Sequence, residues 1–213
     1  MAAPYTLHGV MQSGPTYKVG LMLALMGQKF DYEMVNLREG AHQKPEYKAK
    51  NKFGVVPTLT VAMTGRHMAQ AAAILGYLAQ TSGKFAGTTP DEQQEIREWM
   101  LWGYDRLCPP IYRSRAAKLG FRKFDDATVA MYAGDGNAAL KHLDGHLAGR
   151  SWLVGSAASI ADIDSYGVVF YATEGGFDLA QYPNVQAWMK RLEALPGYGR
   201  PEAILPAASK AAA

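Results

Sequence analysis

The sequence predicts an α/β N-terminal domain of order βαβαββα followed by an all-α C-terminal domain. Two observations carry this prediction: strand-like and helix-like patterns alternate over the first part of the chain, and helical periodicity dominates the rest. We expect residues 1–80 to form the first domain, residues 81–90 a linker rich in Gly, Thr and Ser, residues 91–206 the second domain and residues 207–213 a mobile, Ala-rich tail.

The first half of the N-terminal domain reads as strand, helix, strand and helix. Residues 5–9 form a short strand, and residues 15–26 place apolar side chains at largely helical spacing. Residues 30–36 alternate apolar and charged side chains, which is typical of a strand. Pro45 then opens a short helix over residues 46–50.

The second half of this domain reads as two strands and a helix. Residues 55–61 are a β-branched run, residues 66–68 a brief strand and residues 70–79 a helix. Because proline gives no N–H to a strand ladder, Pro57 must lie at a strand start or edge. A cis Val56–Pro57 bond would satisfy that need.

Two long helices open the C-terminal domain. Residues 91–118 carry one apolar stripe, and Pro109 and Pro110 should kink this helix rather than end it. Residues 127–147 form the second long helix.

Capping signals mark two further helices. Ser159 and Asp162 have the spacing of a capping box, in which the hydroxyl accepts from the third helical N–H and the carboxylate accepts from the Ser159 N–H. Pro183 starts a last helix over residues 185–195.

Composition excludes several classes of function. The chain has 213 residues, is 48% hydrophobic and carries a formal charge of +3, without the basic stripe that nucleic acid binding needs. It has neither an apolar run of about 20 residues nor a signal peptide, so we expect a cytoplasmic protein that binds neither membrane nor nucleic acid. The single cysteine, Cys108, allows no internal disulfide and no CxxC motif, so thiol chemistry here needs an external thiol.

Four short motifs occur in a characteristic order: Ser13-Gly14-Pro15-Thr16, Val56-Pro57, Gln70-Ala71 and Ser159 to Asp162. Their order and spacing resemble the cytosolic-type glutathione S-transferases, of bacterial theta-like or nu-like kind, over essentially the whole chain. The resemblance implies the glutathione transferase fold, with a thioredoxin-like first domain and an all-α second domain. It also implies a homodimer that uses glutathione as co-substrate, with no metal and no tightly bound cofactor.

The resemblance makes Ser13 the catalytic residue, with Thr16 beside it in the glutathione site. A helix N-terminus presents free N–H groups and partial positive charge, which favour a thiolate over a thiol. In such surroundings a thiol pKa of about 8.5 falls to roughly 3.5–7.5. The alternative is that Ser13 is simply the N-cap of the helix.

Other glutathione contacts are implied along the same domain. Val56, with Pro57, would pair its backbone with the tripeptide like an added strand. Gln70 and Ala71 would hold the γ-glutamyl end at the start of a helix. Ala71 lacks the hydroxyl that is common at this position in the family. We expect glutathione binding to be weaker by about 0.5–1.5 kcal/mol, the usual contribution of one hydrogen bond.

The glycine carboxylate of glutathione has three candidate partners. His42 matches a histidine of theta-like members, although a surface histidine without a role explains it equally well. Where relatives often have Lys or Gln, this chain has Val55, so Lys44 or Lys52 would compensate.

The second-substrate pocket would take a small apolar electrophile. Tyr104, Cys108 and Tyr112 recur at a spacing of four on one helix face, and Met11 would face them from the first domain. A core stripe explains the same spacing for at least one of the three.

The resulting hypothesis is a detoxification enzyme that activates the glutathione thiolate for attack on the electrophile. A glutathione-dependent peroxidase, lyase, dehalogenase or isomerase begins with the same thiolate and stays an alternative. Pro15 replaces the asparagine of nu-like members, which argues against their disulfide-reductase activity. A third alternative is a non-catalytic relative that binds apolar ligands or a partner protein, because Ala71 and Val55 both weaken the glutathione site.

Overall fold

The computed structural model describes residues 3–206, which fall into two compact units. One unit contains the chain up to Ser82 together with the residues from Leu195 onward, and the other runs from Gly83 to Ala194. We had expected the helical domain to extend to residue 206, whereas the described end of the chain packs with the N-terminal unit. The predicted tail over residues 207–213 lies outside the described residues.

The N-terminal unit has the predicted order of elements. These are β1 (Tyr5–Gly9), α1 (Gly14–Leu25), β2 (Asp31–Met34), α2 (Pro45–Lys50), β3 (Thr58–Val61), β4 (Arg66–Ala69) and α3 (Ala71–Ser82), with the C-terminal α9 (Pro201–Ile204) added. The sheet has the order β2-β1-β3-β4. β1 is parallel to β2 and antiparallel to β3, and β4 is an antiparallel edge strand.

α1 lies in the core of this unit and is apolar on nearly all sides. Tyr17, Leu21 and Met22 are fully buried, as expected for a helix without a polar face. The Tyr17 hydroxyl donates to the Gly199 carbonyl at 3.0 Å, and Gly20 leaves room for the fully buried Leu205. These contacts explain why the last described residues, up to 206, belong to the N-terminal unit.

The strand and helix boundaries near Pro57 follow from its missing N–H. β3 begins at Thr58, directly after the proline, and the Val56–Pro57 bond is cis, as predicted. At the other end of the unit, α3 continues to Ser82, two residues beyond the predicted domain end.

The C-terminal unit is helical. Its helices are α4 (Pro90–Trp102), α5 (Cys108–Lys118), α6 (Asp126–Leu147), α7 (Ile160–Val169) and α8 (Pro183–Glu193). No helix within residues 3–206 is long and apolar enough to cross a membrane.

The predicted single helix over residues 91–118 is interrupted. α4 ends at Trp102, a π-turn occupies Gly103–Leu107, and α5 begins at Cys108. Pro109 and Pro110 therefore lie in the first turn of α5, where a missing N–H costs nothing. In a regular α-helix each proline ring would clash with the carbonyl four residues earlier. Those carbonyls lie in the π-helical turn, whose wider backbone avoids the clash.

The predicted capping box forms at the start of α7. The Ser159 N–H donates to Asp162 Oδ2 at 2.9 Å, and the Ser159 hydroxyl oxygen accepts from the Ala161 N–H at 3.2 Å. Asp162 is fully buried and also accepts from the Leu153 N–H and the Trp188 indole N–H, each at 2.9 Å. Burial raises the pKa of Asp162, while these hydrogen bonds oppose the rise.

Candidate functional site

Ser13 is the N-cap of α1. Its backbone is extended, with φ −86° and ψ 114°, and its Oγ accepts from the Thr16 N–H at 3.3 Å. The Ser13 N–H donates to the Val10 carbonyl at 3.0 Å, which ties the residue to the loop after β1. Ser13 therefore has the N-cap geometry that the alternative interpretation of the sequence predicted.

The same geometry leaves the Ser13 proton available. A serine hydroxyl has one donor and two acceptor positions, and the cap uses one acceptor position only. Within residues 3–206 the Ser13 O–H has no acceptor, and the residue is half-buried. Ser13 can therefore cap α1 and donate to a ligand at the same time.

Few backbone donors remain beside Ser13. Pro15 has no N–H, the Thr16 N–H bonds to Ser13 Oγ, and the Tyr17 N–H donates to the Ser13 carbonyl at 2.9 Å. The Gly14 N–H is the one that finds no acceptor in the described part of the chain. The anion-attracting groups at this helix start are thus the Ser13 hydroxyl and the Gly14 amide.

Thr16 serves packing. Its side chain is fully buried against the end of β1, where a Cβ at Gly9 would overlap the Thr16 methyl group. Its hydroxyl oxygen is buried and has no hydrogen-bond partner among residues 3–206. A direct contact between the Thr16 side chain and a ligand would require neighbouring groups to move.

Val56 presents an open backbone segment. Within the described residues, neither its N–H nor its carbonyl has a partner, and the side chain is half-buried. The preceding Val55 carbonyl is held by the Asn51 amide at 2.6 Å and the Tyr47 hydroxyl at 3.0 Å. The flanking chain is therefore fixed while the Val56 peptide groups are free to pair with an extended ligand.

Sequence reasoning missed the residues that fix this segment. The Asn51 amide also donates to the Thr58 hydroxyl at 3.0 Å, and the Thr58 hydroxyl donates to the Tyr47 hydroxyl at 2.8 Å. Burial raises the pKa of Tyr47, while the hydrogen bonds from Thr58 and Asn51 lower it. An Asn one residue past a short basic helix carries no sequence signal for such a role, because its partners are 4 to 7 residues away in a loop.

Gln70 adopts a backbone conformation that is rare for its residue type. Its φ is +67°, in the left-handed region, and the side chain is exposed. Its carbonyl accepts from the Ile74 N–H at 3.0 Å, so Gln70 closes the first turn of α3. The N–H groups of Ala71, Ala72 and Ala73 find no acceptor within residues 3–206, which leaves a second anion-attracting helix start beside Gln70.

The three candidates for the glycine carboxylate differ in their surroundings. His42 lies in a 3₁₀ turn, Ala41–Gln43, and its Nδ1 is buried without a hydrogen-bond partner among the described residues. Lys44 is exposed at the start of α2. Lys52 is also exposed, but its ammonium lies 5.1 Å from the centroid of the Phe53 ring.

A cavity of about 570 Å³ in the N-terminal unit is separate from Ser13, Val56 and Gln70. It is lined by residues 48–53 and by parts of β4 and α3, and it includes Lys52. Ser13, Val56 and Gln70 do not line it. Lys52 thus lines a cavity to which Ser13, Val56 and Gln70 do not contribute.

The predicted pocket residues of the second domain lie close together. Tyr104 is exposed, whereas Cys108 and Tyr112 are half-buried. Burial raises the pKa of Tyr112 well above its ordinary value, and Cys108, Asp164, Tyr171 and Tyr104 add to the rise. The Tyr112 hydroxyl donates to the Gly167 carbonyl at 2.9 Å. Tyr112 is therefore better explained as part of the helical core than as a residue of the substrate pocket. The fourth predicted pocket residue, Met11, is half-buried in the loop before α1.

Two family models match the chain. The one described as "Glutathione S-transferase, N-terminal domain" matches residues 15–81, and the one described as "Glutathione S-transferase, C-terminal domain" matches residues 116–196.

Curated relatives carry more than one activity in their names. The chain is 32% identical to "Glutathione S-transferase stcT" of Emericella nidulans over 71% of this chain and 70% of the relative. It is 27% identical to "Disulfide-bond oxidoreductase YfcG" of Escherichia coli (84% of this chain, 87% of the relative). It is 26% identical to "Maleylacetoacetate isomerase" of Rhizobium meliloti (94% and 96%).

Solved structures share the fold over nearly the whole chain. A glutathione S-transferase from Pseudomonas fluorescens has a TM-score of 0.88 and 31% identity, covering 93% of this chain and 99% of its own. The glutathione transferase URE2P6 from Phanerochaete chrysosporium, in complex with oxidized glutathione, has a TM-score of 0.84 and 19% identity, covering 92% and 93%.

The resemblance inferred from the motifs is thereby confirmed at three levels: family models, curated relatives and solved structures. The structure has the fold that this resemblance implied, a four-stranded mixed sheet with helices followed by a helical domain. The chain belongs to the glutathione S-transferase family.

Proposed function

We propose that the enzyme binds glutathione with its sulfur at the start of α1 and that the thiolate attacks a small apolar electrophile. The observation that carries this proposal is the Ser13 hydroxyl, which accepts the capping bond from Thr16 and keeps its own proton for a ligand. In the proposed complex that proton forms a hydrogen bond to the thiolate.

The role of the enzyme is to ionise and orient the thiol. The Ser13 hydroxyl, the Gly14 N–H and the positive end of the α1 dipole all favour negative charge on sulfur. The thiol proton leaves to solvent, and the thiolate is then the nucleophile. Holding it beside the second substrate supplies the remaining rate enhancement.

The rest of the tripeptide would use groups that are already arranged for it. The open N–H and carbonyl of Val56 support an antiparallel, strand-like pairing with the cysteinyl residue. Gln70 and the free N–H groups at the start of α3 support binding of the γ-glutamyl carboxylate. Oxidized glutathione in the Phanerochaete chrysosporium protein of the same fold is consistent with a tripeptide site in this architecture.

For the glycine carboxylate we favour His42 and Lys44 over Lys52. Lys44 is exposed at the start of α2 and can meet a carboxylate directly. His42, two residues before it, has a buried Nδ1 without a partner among the described residues, which a ligand carboxylate would accept from after neighbouring groups move. Lys52 faces the separate cavity described above.

A glutathione-dependent isomerase is the second candidate. The alignment to the relative named maleylacetoacetate isomerase spans 94% of this chain, and an isomerase of this kind would start from the same thiolate. A substrate panel with conjugation and isomerisation assays separates the two. Pro15 continues to argue against a disulfide reductase, although one relative carries that name.

We further propose that the second substrate binds near Tyr104 and Cys108, that the enzyme is a homodimer and that it acts in the cytoplasm in detoxification. The exposed Tyr104 offers an apolar ring with a polar tip for such a substrate. Sedimentation velocity tests the oligomeric state.

Isothermal titration calorimetry with glutathione tests the proposed function. We expect saturable binding that Gln70→Ala and Ser13→Ala both weaken. Absence of heat at millimolar glutathione would favour a non-catalytic relative instead.

A further inference from the structure

The loop between β1 and α1 carries two residues of the proposed site. It spans residues 10–13 and includes Met11, proposed to face the second substrate, and Ser13, proposed to donate to the glutathione sulfur. Inside the loop the Ser13 N–H donates to the Val10 carbonyl at 3.0 Å. One bond of this kind restrains only part of a loop, so contacts from neighbouring elements decide where Ser13 lies.

The Tyr32 side chain bridges the first residues of this loop. Tyr32 lies in β2, opposite Leu7 of the parallel strand β1, and is 8% exposed. Its hydroxyl donates to the Gly9 carbonyl at 3.2 Å, and the Met11 backbone N–H donates to the same hydroxyl oxygen. One phenol therefore connects the last residue of β1 with the second residue of the loop.

The phenol of Tyr32 stays protonated under the conditions in which a thiol ionises. Burial raises the pKa of Tyr32 to about 12, and the hydrogen bond from Met11 opposes the rise. Only the neutral phenol makes both bonds, because a phenolate has no proton to donate to Gly9. The bridge is therefore constant while the bound thiol is titrated, and the titration reports the charge on sulfur.

A second set of contacts leads from Gly9 to Ser13. The Gly9 carbonyl also accepts from the Val35 N–H at 2.8 Å, so two donors hold it. The fully buried Thr16 side chain occupies the space that a Cβ at Gly9 would fill. The Thr16 N–H in turn donates to Ser13 Oγ at 3.3 Å. Gly9 is thus the point at which the restraints from Tyr32 and from the first turn of α1 meet.

The position of Ser13 Oγ decides how well it can serve a thiolate. A hydrogen bond weakens steeply when donor and acceptor are misaligned, and small misplacements within a site cost large factors in rate. The Tyr32 hydroxyl reaches Ser13 by two routes, along the loop through Met11 and through the packing of Thr16 on Gly9.

We propose that Tyr32 is a positioning residue for the proposed reaction, because its hydroxyl holds the loop of residues 10–13 in the conformation that directs the Ser13 O–H to the glutathione sulfur. This inference rests on the proposed function, since it needs a thiolate beside Ser13. Tyr32 takes no part in the chemistry itself, because it is buried and its hydroxyl already serves Gly9 and Met11.

Two phenylalanine variants separate positioning from stability. Tyr32→Phe removes the hydroxyl and keeps the ring. Tyr182→Phe is the matched control, since Tyr182 is 7% exposed and its hydroxyl donates to Asn137 Oδ1 at 3.0 Å, within the C-terminal unit. Each variant loses one buried hydroxyl, so urea unfolding of the full chain should show similar losses of stability. A purely structural role of Tyr32 predicts that the two variants also share their enzymatic properties.

Ultraviolet titration of bound glutathione and steady-state kinetics are the readouts. We expect Tyr32→Phe to raise the pH at which the bound thiol ionises by about 0.3–1 pH unit, since the hydrogen bond from Ser13 is weakened. We expect kcat for conjugation to fall about three- to tenfold and KM for glutathione to change less than about twofold, because Val56 and Gln70 still hold the tripeptide. Tyr182→Phe should keep the wild-type ionisation and kcat.

A double-mutant cycle with Ser13→Gly tests whether Tyr32 acts through Ser13. We expect Tyr32→Phe to cause no further change in the ionisation of the bound thiol once Ser13 is glycine, so that the two single effects are not additive. The single variant Ser13→Gly reports on the proposed function independently of Tyr32.

Three results would overturn the inference. One is a bound thiol that keeps its wild-type ionisation in Tyr32→Phe although Ser13→Gly shifts it, which leaves the proposed function standing. Another is additivity in the cycle, which means that Tyr32 acts independently of Ser13. The third is a change confined to KM for the electrophile, which assigns the effect to Met11. Wild-type ionisation in Ser13→Gly itself would remove the proposed role of Ser13, and this inference with it.

Discussion

The Thr16 N–H donates to Ser13 Oγ across 3.3 Å, so one serine side chain closes the first turn of α1. This bond uses an oxygen lone pair and leaves the hydroxyl proton without an acceptor within residues 3–206. The capping and catalytic hypotheses for Ser13 are therefore compatible. When the Ser13 hydroxyl is removed by mutation, the loss of the N-cap of α1 must be measured separately from the loss of the hydrogen-bond donor to the ligand.

Ser13→Ala and Ser13→Gly together make this separation. Glycine is an acceptable N-cap, so Ser13→Gly should cost only a few tenths of a kcal/mol in stability, against about 1 kcal/mol for alanine. Both variants lose the donor, so kcat/KM for conjugation should fall by about one order of magnitude or more in each. Steady-state kinetics and urea unfolding measure the two effects. Wild-type activity in Ser13→Gly would assign Ser13 to capping alone.

Gln70 should show opposite effects on stability and binding. Its left-handed backbone suits glycine, so Gln70→Gly should raise the free energy of unfolding by up to about 1 kcal/mol. The same change removes the side chain proposed to hold the γ-glutamyl end, and glutathione affinity should fall about tenfold. Gln70→Asn keeps an amide at this position and tests whether the side chain matters. Equal affinity of the glycine variant and wild type would exclude Gln70 from the site.

Gly9 controls the position of the α1 start. A Cβ at Gly9 would lie 2.5 Å from Thr16 Oγ1, against a fully buried side chain. Gly9→Ala should destabilise the protein by about 1–3 kcal/mol, the usual cost of overpacking, and should reduce activity because Ser13 adjoins the displaced turn. In the matched control Gly76→Ala, in α3, nothing lies within 4 Å of the new Cβ, and stability should rise by about 0.5–1 kcal/mol. Thermal unfolding of both variants measures the difference, and similar melting temperatures would contradict the packing argument.

His8 should make stability depend on pH. Burial lowers its pKa in the folded protein below the value of about 6.5 expected in the unfolded chain. Between these two values the unfolded state binds more protons, so the free energy of unfolding falls as the pH decreases from 7 toward 5. His8→Gln should flatten this slope in urea unfolding measured at several pH values. Parallel slopes for the variant and wild type would show that His8 does not titrate in this way.

The sequence predicted the order of the elements and most of their boundaries, because those depend on local signals. Pro57 marked the start of β3, and Ser159 with Asp162 marked the start of α7. The π-turn before Pro109 was not predictable, because apolar periodicity continues across it on both sides. The packing of Leu205 against α1 was not predictable either, since a short apolar residue near a chain end gives no sign of its partner.

The position of a candidate site residue was predictable where the backbone conformation follows from residue type. Ser13 at a helix start is such a case. Thr16 shows the limit: the resemblance of the Ser13 to Thr16 motif implied a ligand contact, and the structure places the Thr16 side chain in the space beside Gly9, which the motif does not indicate. Asn51 was missed because no local pattern marks the partners of its side chain, although they follow it by only 4 to 7 residues. The contacts that join Glu33, His8, Thr60 and His67 cross all four strands, so only the folded sheet reveals them.

Ultraviolet titration of the glutathione thiol in the bound complex tests the central claim most directly. It reports the charge on sulfur as a function of pH, for wild type and for Ser13→Gly, in which glycine is a tolerated N-cap residue and the start of α1 should lose little stability. We expect the bound thiol in wild type to ionise at least about one pH unit below free glutathione, as helix-start thiols do, and we expect the variant to lose much of this shift. A bound thiol that ionises at the same pH as free glutathione in wild type would contradict the account.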